Sequence, residues 1–202
     1  MGTAASEGSI VVVGGGLGGL TTALALAHHG RPVRVLEGAP AFGAIGYGIQ
    51  FGPNVFHVLD RIGLRGAVLE SADEPRALVM FDALSGRDVT RIPAGPPLRS
   101  RFGHPYIVIH RVDLHEALLD ACRRDPLVTL VPDAMVTRFD DHGDGVTVAT
   151  EDGRTFCGPA LIAADGVRSR IRTQLLDDGN LALNGYVAFR TIVPIGDVTA
   201  QV

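Results

Sequence analysis

The residues of this chain best placed to do chemistry have no reactive side chains. Gly14, Gly16 and Gly19 follow the apolar run Ile10 to Val13 with the spacing G-x-G-x-x-G. The first glycine permits a sharp turn. The second lets backbone approach a pyrophosphate, and the third lets a helix pack closely on the strand. A helix starting here points free N–H groups and the positive end of its dipole at phosphate oxygens. Glycine turns of this spacing also occur without a nucleotide, so the flanking chain has to decide.

The flanking chain supports a nucleotide. A second apolar run, Val33 to Leu36, ends in Glu37. A carboxylate about twenty residues past the glycines accepts both hydroxyls of an adenosine ribose. It also disfavours a 2′-phosphate, which favours FAD or NAD over NADP. The competing reading of Glu37 is a solvated charge at a strand end. Further on, Asp165-Gly166 forms a turn after the apolar run Ala160 to Ala164, and Arg168, Arg170 and Arg172 follow it. Those arginines read equally as a basic helix face. Arg111, at a strand–helix junction, can pair with phosphate or be an ordinary exposed charge. The seven histidines are scattered and suggest no partner. No H-E-x-x-H, P-loop or G-x-S-x-G occurs, and no His/Cys spacing suits a metal.

The elements that must position these residues are legible. Ile10 to Val13 reads as a strand and Leu20 to His29 as a helix, stopped by Gly30 and Pro32. Residues 43–53 are rich in glycine (43, 46, 48 and 52), a costly composition to order. They suit a loop wrapping a flat ligand, or a plain flexible connection. Asn54 is positioned to cap a short helix that stops at Gly63. Ala77–Phe81 and Val89–Ile92 read as a hairpin, and Pro93 to Pro97 breaks the pattern. Tyr106–His110 reads as a strand, Val112–Ala121 as a helix and Leu127–Val131 as a core strand. Segments 134–139, 146–150 and 154–156 read as an antiparallel meander, with turns at Asp144-Gly145 and Asp152-Gly153. A strand at 160–164 precedes a helix that Ser169 can cap. Gly185 to Val193 reads as a last strand.

Composition limits the function classes. The chain has 202 residues, enough to bury a real core. A net charge of -4 gives no electrostatic case for nucleic acid or an anionic membrane surface. Cys122 and Cys157 are too far apart for a zinc knuckle or a redox pair and read as free thiols in a reducing compartment. No apolar run reaches the length of a membrane span and no signal peptide precedes the first strand, so a cytoplasmic location is expected.

The glycine turn, Glu37, the 43–53 segment, Ile109-His-Arg-Val-Asp-Leu114 and Ala164-Asp-Gly-Val-Arg-Ser-Arg-Ile-Arg172 occur in that order. Together they resemble the class A FAD-dependent aromatic monooxygenases. Gly46-Tyr-Gly-Ile-Gln-Phe-Gly-Pro-Asn54 with Arg101-Phe-Gly-His-Pro-Tyr106 looks most like the 3-hydroxybenzoate 6-hydroxylase branch. The resemblance implies an α/β fold: a glutathione-reductase-like FAD-binding Rossmann domain with an antiparallel meander, plus an incomplete substrate-domain β-sheet. The expected parallel sheet uses the strands near 10, 34, 108, 128 and 162. Residues 1–73 and 105–180 are assigned to the FAD-binding domain, and 74–104 and 181–202 to a partial substrate-binding domain.

The resemblance also implies a chemistry. FAD would be reduced by NADH or NADPH, react with O2 to a flavin C4a-hydroperoxide, and hydroxylate a phenolic acid such as 3-hydroxybenzoate. Carried over by position, Gly14, Gly16, Leu17, Gly18 and Gly19 line the pyrophosphate, and Glu37 holds the ribose. Arg111 reaches the phosphate and ribose region, and Val136 contacts adenine through its backbone. Asp165 and Gly166 serve FAD and the nicotinamide nucleotide. Gln50 meets the flavin, and Tyr106 lies in the substrate pocket. The family's second FAD signature, a Gly-Asp segment, has no counterpart here, so the chain reads as the N-terminal half of such an enzyme. That leaves a homodimer, or association with the missing half, as partner expectations beside the small aromatic substrate. Two rival readings are a non-catalytic truncated or split FAD-domain fragment and a NAD-dependent dehydrogenase.

Overall fold

The computed structural model describes residues 8–43, 46–179 and 181–197. The first seven residues, Ala44 and Ile45 of the glycine-rich segment, and the last five residues of the segment assigned to the substrate domain lie outside the described residues. In chain order the first elements are β1 (Ile10–Val13), α1 (Leu17–His28), β2 (Val33–Leu36), β3 (Gly48–Phe51), α2 (Phe56–Arg61) and α3 (Arg65–Glu70). Then come β4 (Ala72–Asp73), β5 (Ala77–Phe81), β6 (Asp88–Pro93), α4 (Pro96–Phe102), β7 (Ile107–His110) and α5 (Arg111–Arg124). The last are β8 (Val128–Val131), β9 (Val136–Asp141), β10 (Val146–Thr150), β11 (Thr155–Gly158), β12 (Leu161–Ala163) and α6 (Arg170–Leu176).

The centre is a parallel sheet of order β12–β1–β2–β8. Val12 pairs with Val35 on one side and Ile162 on the other. All four residues of β1 are buried, because the sheet is covered on both faces. Val12, Val33 and Val35 pack with Leu20, Ala23 and Leu24 of α1 and Leu118, Leu119 and Cys122 of α5. Val11, Val13 and Leu36 pack the other way, with Val136 and Val148 of the meander and Ile171 of α6. Three layers result: helices, parallel sheet, antiparallel meander.

α1 shows how this arises locally. Leu20, Ala23, Leu24 and Ala27 form an i, i+3, i+4, i+7 stripe, and all are buried. Gly18 and Gly19 cost the helix about 1 kcal/mol each relative to alanine, and only Gly19 is required by packing, its Cβ position falling on the Gly14 carbonyl oxygen. The helix ends where its glycine predicts. Gly30 has φ 71°. Its N–H donates to the Ala27 carbonyl and that of Arg31 to the Leu26 carbonyl, the paired bonds of a Schellman stop.

Several expectations are corrected. The strand near 108 does not join the parallel sheet. β7 instead pairs antiparallel with β3 and β4. Burial alternates along β7, as in a strand with one covered face, whereas β1 is buried throughout. The glycine-rich segment is therefore partly strand, at 48–51. Asn54 caps no helix: it lies inside a 3₁₀ turn, Pro53–Val55, that leads into α2. The proline break at 93–97 does end β6, but Pro96 then opens α4, where its missing N–H costs nothing. Residues 185–193 form no strand. Among the described residues no strand pairs with them, and an extended segment without a ladder leaves its backbone to water. The meander and the Ser169 cap are as expected. β10 pairs antiparallel with β9 and β11, and the Ser169 hydroxyl accepts from the Arg172 N–H at 2.9 Å.

Candidate functional site

β1 delivers the chain to the glycine turn at the carboxyl end of the parallel sheet. Gly14 has φ 104°, and a Cβ there would lie 2.3 Å from the Ala164 carbonyl oxygen. Its N–H donates to the Leu36 carbonyl at 2.8 Å. The turn is thus wedged between the ends of β2 and β12, where only glycine fits. Gly19 is tighter still, with a Cβ position 1.8 Å from the Gly14 carbonyl oxygen. This contact is the reason for glycine in the first turn of α1: helix and turn backbones touch. Gly16 and Gly18 differ, since a Cβ at either would meet nothing within 4 Å.

Glu37, just past β2, ties the turn down. Its Oε2 accepts from the Gly15 N–H at 2.7 Å and its Oε1 from the Ala39 N–H at 2.8 Å. A carboxylate offers about four acceptor sites, so each oxygen retains capacity for a further donor. Across the opening, Asp165 and Gly166 follow β12. The Asp165 carboxylate accepts, weakly, from the Ile171 N–H at 3.4 Å. Gly166 adopts φ 79°, and its carbonyl accepts from the Ser169 N–H.

These pieces enclose a groove of about 620 Å³, lined by Gly14, Gly16, Glu37, Val136, Asp165 and Gly166 among others. Six residues read from the sequence therefore meet in one place. Leu17, Gly18 and Gly19 form the first turn of α1 directly behind it. The groove also takes in Gly38, Met135, Arg168 and Arg170. A Cβ at Gly38 would lie 2.6 Å from the Met135 Cε, so that glycine makes room for the methionine. Arg168 and Arg170, which the sequence leaves open as a basic helix face, line the groove just past the turn at Gly166.

Arg111, Gln50 and Tyr106 lie outside this lining, on the β3–β7 side. Arg111 begins α5. Its N–H donates to the Tyr47 carbonyl at 3.1 Å, and its side chain lies against Gly46, where a Cβ would be 2.9 Å from its Cδ. The Tyr106 hydroxyl donates to the Gln50 Oε1 at 2.7 Å, so these two candidates, 56 residues apart, touch.

One residue at the turn escaped the sequence reading. His115 of α5 is 1 % exposed, and its Nε2 lies 2.8 Å from the Gly15 carbonyl oxygen. The available signal was its place beside Leu114 on the apolar stripe of that helix. Nearby, the buried Cys122 thiol reaches the Leu20 carbonyl at 3.6 Å. Burial, and next the charge of Asp125, push that thiol up to about 12.

The groove suits an extended dinucleotide. α1 has no side-chain N-cap and no acid in its first turn, so its leading N–H groups are available to an anion. Gly16 leaves open space where a side chain would stand. Arg168 and Arg170 supply positive charge, and Glu37 supplies acceptors for hydroxyls. Among the described residues, no three His, Cys, Asp or Glu side chains gather as a metal site. Also among them, no helix is long and apolar enough to cross a membrane.

This strand–turn–helix, with its acid at the end of the second strand and its meander-backed groove, defines a flavin-nucleotide domain. The chain belongs to the FAD binding domain family, whose model matches residues 7–179. It is 43% identical over 184 residues to a 3-hydroxybenzoate 6-hydroxylase of Polaromonas naphthalenivorans, covering 91% of this chain and 46% of that protein. It is 34% identical over 193 residues to 3-hydroxybenzoate 6-hydroxylase 1 of Aquipseudomonas alcaligenes, covering 96% of this chain and 49% of that one. Klebsiella pneumoniae HpxO, solved with FAD and uric acid, superposes with a TM-score of 0.69 at 32% identity, over 82% of this chain and 41% of that one. The chain spans about half the length of the curated relatives it matches.

Proposed function

We propose that this chain is the FAD-binding part of a flavin-dependent aromatic hydroxylase that takes NADH or NADPH as reductant and a phenolic acid such as 3-hydroxybenzoate, with O2, as substrates. One observation carries this reading: the glycine turn, Glu37, Val136 and Asp165-Gly166 line a single groove. When bound, FAD supplies the electron transfer and oxygen activation, and the protein supplies placement and water exclusion.

The chain's own residues divide that work. The backbone at Gly14, Gly16 and Gly19, with Leu17 and Gly18, brings the positive end of α1 to the pyrophosphate. Glu37 accepts from the ribose hydroxyls while holding Gly15. Val136 and its neighbours flank the adenine, and Asp165-Gly166 closes the opposite wall. Arg111 holds the 46–47 backbone and reaches toward the phosphate side. The Tyr106–Gln50 pair lies on the substrate side. Residues 74–104 and 181–202 belong to the substrate-binding domain, and the protein works in the cytoplasm.

The test is direct. The purified chain is titrated with FAD, following quenching of flavin fluorescence and the visible flavin bands. Saturable binding is expected, and Glu37→Gln should weaken it about tenfold, the scale of one charge-assisted bond. Unchanged binding in that variant removes Glu37 from the site. No binding to the wild-type chain removes the cofactor reading.

A second reading has its own support. The chain spans about half of its relatives, and Leu183 and Phe189 are 99 % and 96 % exposed. Both fit a fragment that binds FAD but completes a substrate pocket only with further chain, from a missing half or a second copy. NADH oxidation stimulated by 3-hydroxybenzoate in this chain alone would exclude it.

A further inference from the structure

Gly15 is gripped from both sides. Its N–H donates to Glu37 Oε2 at 2.7 Å, and its carbonyl oxygen lies 2.8 Å from His115 Nε2. A carbonyl only accepts, so the His115 ring carries its proton on Nε2 and donates. The partners stand 22 and 100 residues away in the chain. They approach from the end of β2 and from the middle of α5.

The peptide joining Gly15 to Gly16 is planar and trans. Its C=O and its N–H therefore point in opposite directions. Fixing the Gly15 carbonyl toward α5 fixes the Gly16 N–H away from α5. Gly16 lines the groove, whereas His115 does not. Glycines on both sides of a peptide leave its orientation poorly determined by sterics. An external anchor is what selects one orientation. His115 sits among Leu114, Leu118 and Leu119 on the buried stripe of α5, a setting that would favour an aliphatic side chain on packing grounds alone.

We propose that His115 is a positioning residue of the dinucleotide turn: by holding the Gly15 carbonyl it aims the Gly16 N–H into the groove, at the pyrophosphate of FAD. This rests on the FAD reading given above. The alternative is a core histidine satisfied by the nearest carbonyl, with no effect on binding.

The experiment uses the 202-residue chain, labelled with ¹⁵N and ¹³C, together with His115→Leu and His115→Gln. Glutamine places an amide N–H near the position of Nε2, while leucine keeps bulk without a donor. In the wild-type chain without FAD, the His115 ring should show a slowly exchanging Nε2 proton coupled to the Gly15 carbonyl carbon. A ring without that proton overturns the proposal. His115→Leu should move the Gly16 amide resonance and weaken FAD binding by about tenfold, and His115→Gln should restore both. A lower melting temperature in His115→Leu, with FAD affinity and the Gly16 resonance unmoved, overturns the proposal in favour of a packing role. If His115→Leu does not fold, the wild-type ring signal and the glutamine variant's near-native FAD affinity decide. If the wild-type chain binds no FAD, the cofactor reading fails by itself. The Gly16 resonance then decides on His115, and no shift in His115→Leu overturns its role.

Discussion

β1 and β6 are both well-paired strands, yet every residue of β1 is buried and every residue of β6 is exposed. The β5–β6 ladder is regular apart from one bulge at Met80/Phe81, so the backbone groups the two strands turn toward each other are paired. Its faces are mostly uncovered. Val89, Ile92 and Met80 all stand in water. Pairing and burial are therefore separate achievements. The parallel sheet gains from both, because α1 and α5 cover one face and the meander covers the other. The hairpin is half-covered only at Ala77, Leu78 and Val79 of β5, and the rest of it depends on its ladder and turn.

The same substitution in the two regions should expose this difference. In Gly19→Ala, the new methyl would press on the Gly14 carbonyl at 1.8 Å. A loss of about 3 kcal/mol or more is expected, since neither backbone can retreat. Urea unfolding followed by circular dichroism measures it. Gly86→Ala in the hairpin turn meets open space and only strains a φ of 68°, so its cost should be about 1 kcal/mol. Equal losses at the two positions would erase the distinction.

Next in size is an alkaline limb in the stability curve. Burial, followed by the charge of Asp125, moves the Cys122 thiol from an ordinary 9.0 to about 12. Between those values the unfolded chain has lost the proton while the folded chain keeps it. The folded state then binds more protons, so stability falls as pH rises through that window. Cys122→Ala should flatten the fall. The exposed Cys157 should react with iodoacetamide in the native protein, while Cys122 reacts only on unfolding.

A smaller effect is expected at the start of α6, between the two groove arginines. Ser169→Ala removes the cap of α6 and should cost about 1 kcal/mol. Smallest of all is Leu84→Ser at the hairpin tip, where the side chain is almost fully in water. Its effect on unfolding should stay within about 0.5 kcal/mol. A larger loss would mean that the hairpin is covered by another surface in solution.

The legible parts of this site were the ones encoded by short-range geometry. Gly14, Gly16 and Gly19 announce a strand–turn–helix because each spacing answers one steric demand. Glu37 could be placed because one helix, one turn and one strand separate it from the glycines. Asp165 and Val136 were placed by resemblance, and their convergence on the groove depends on β12 pairing with β1. The apolar run at 107–110 does not state its partner, and it pairs with β3 and β4 instead of joining the parallel sheet. Residues 185–193 carry strand-forming side chains, but among the described residues no strand lies beside them, and propensity without a partner forms no ladder. As a lone histidine on an apolar stripe, His115 reads as packing until the carbonyl it reaches is known.

By itself, the sequence determined the nucleotide turn, its helix and stop, the acid that follows, and the meander. These depend on contacts within a few tens of residues, where glycine sterics, capping and alternation leave few alternatives. The tertiary structure decided which strands flank β1 and that Asp165 faces Glu37 across the groove. It also decided that a histidine 100 residues away holds the Gly15 carbonyl. Those outcomes depend on which apolar faces meet when the layers close, and no local pattern specifies that.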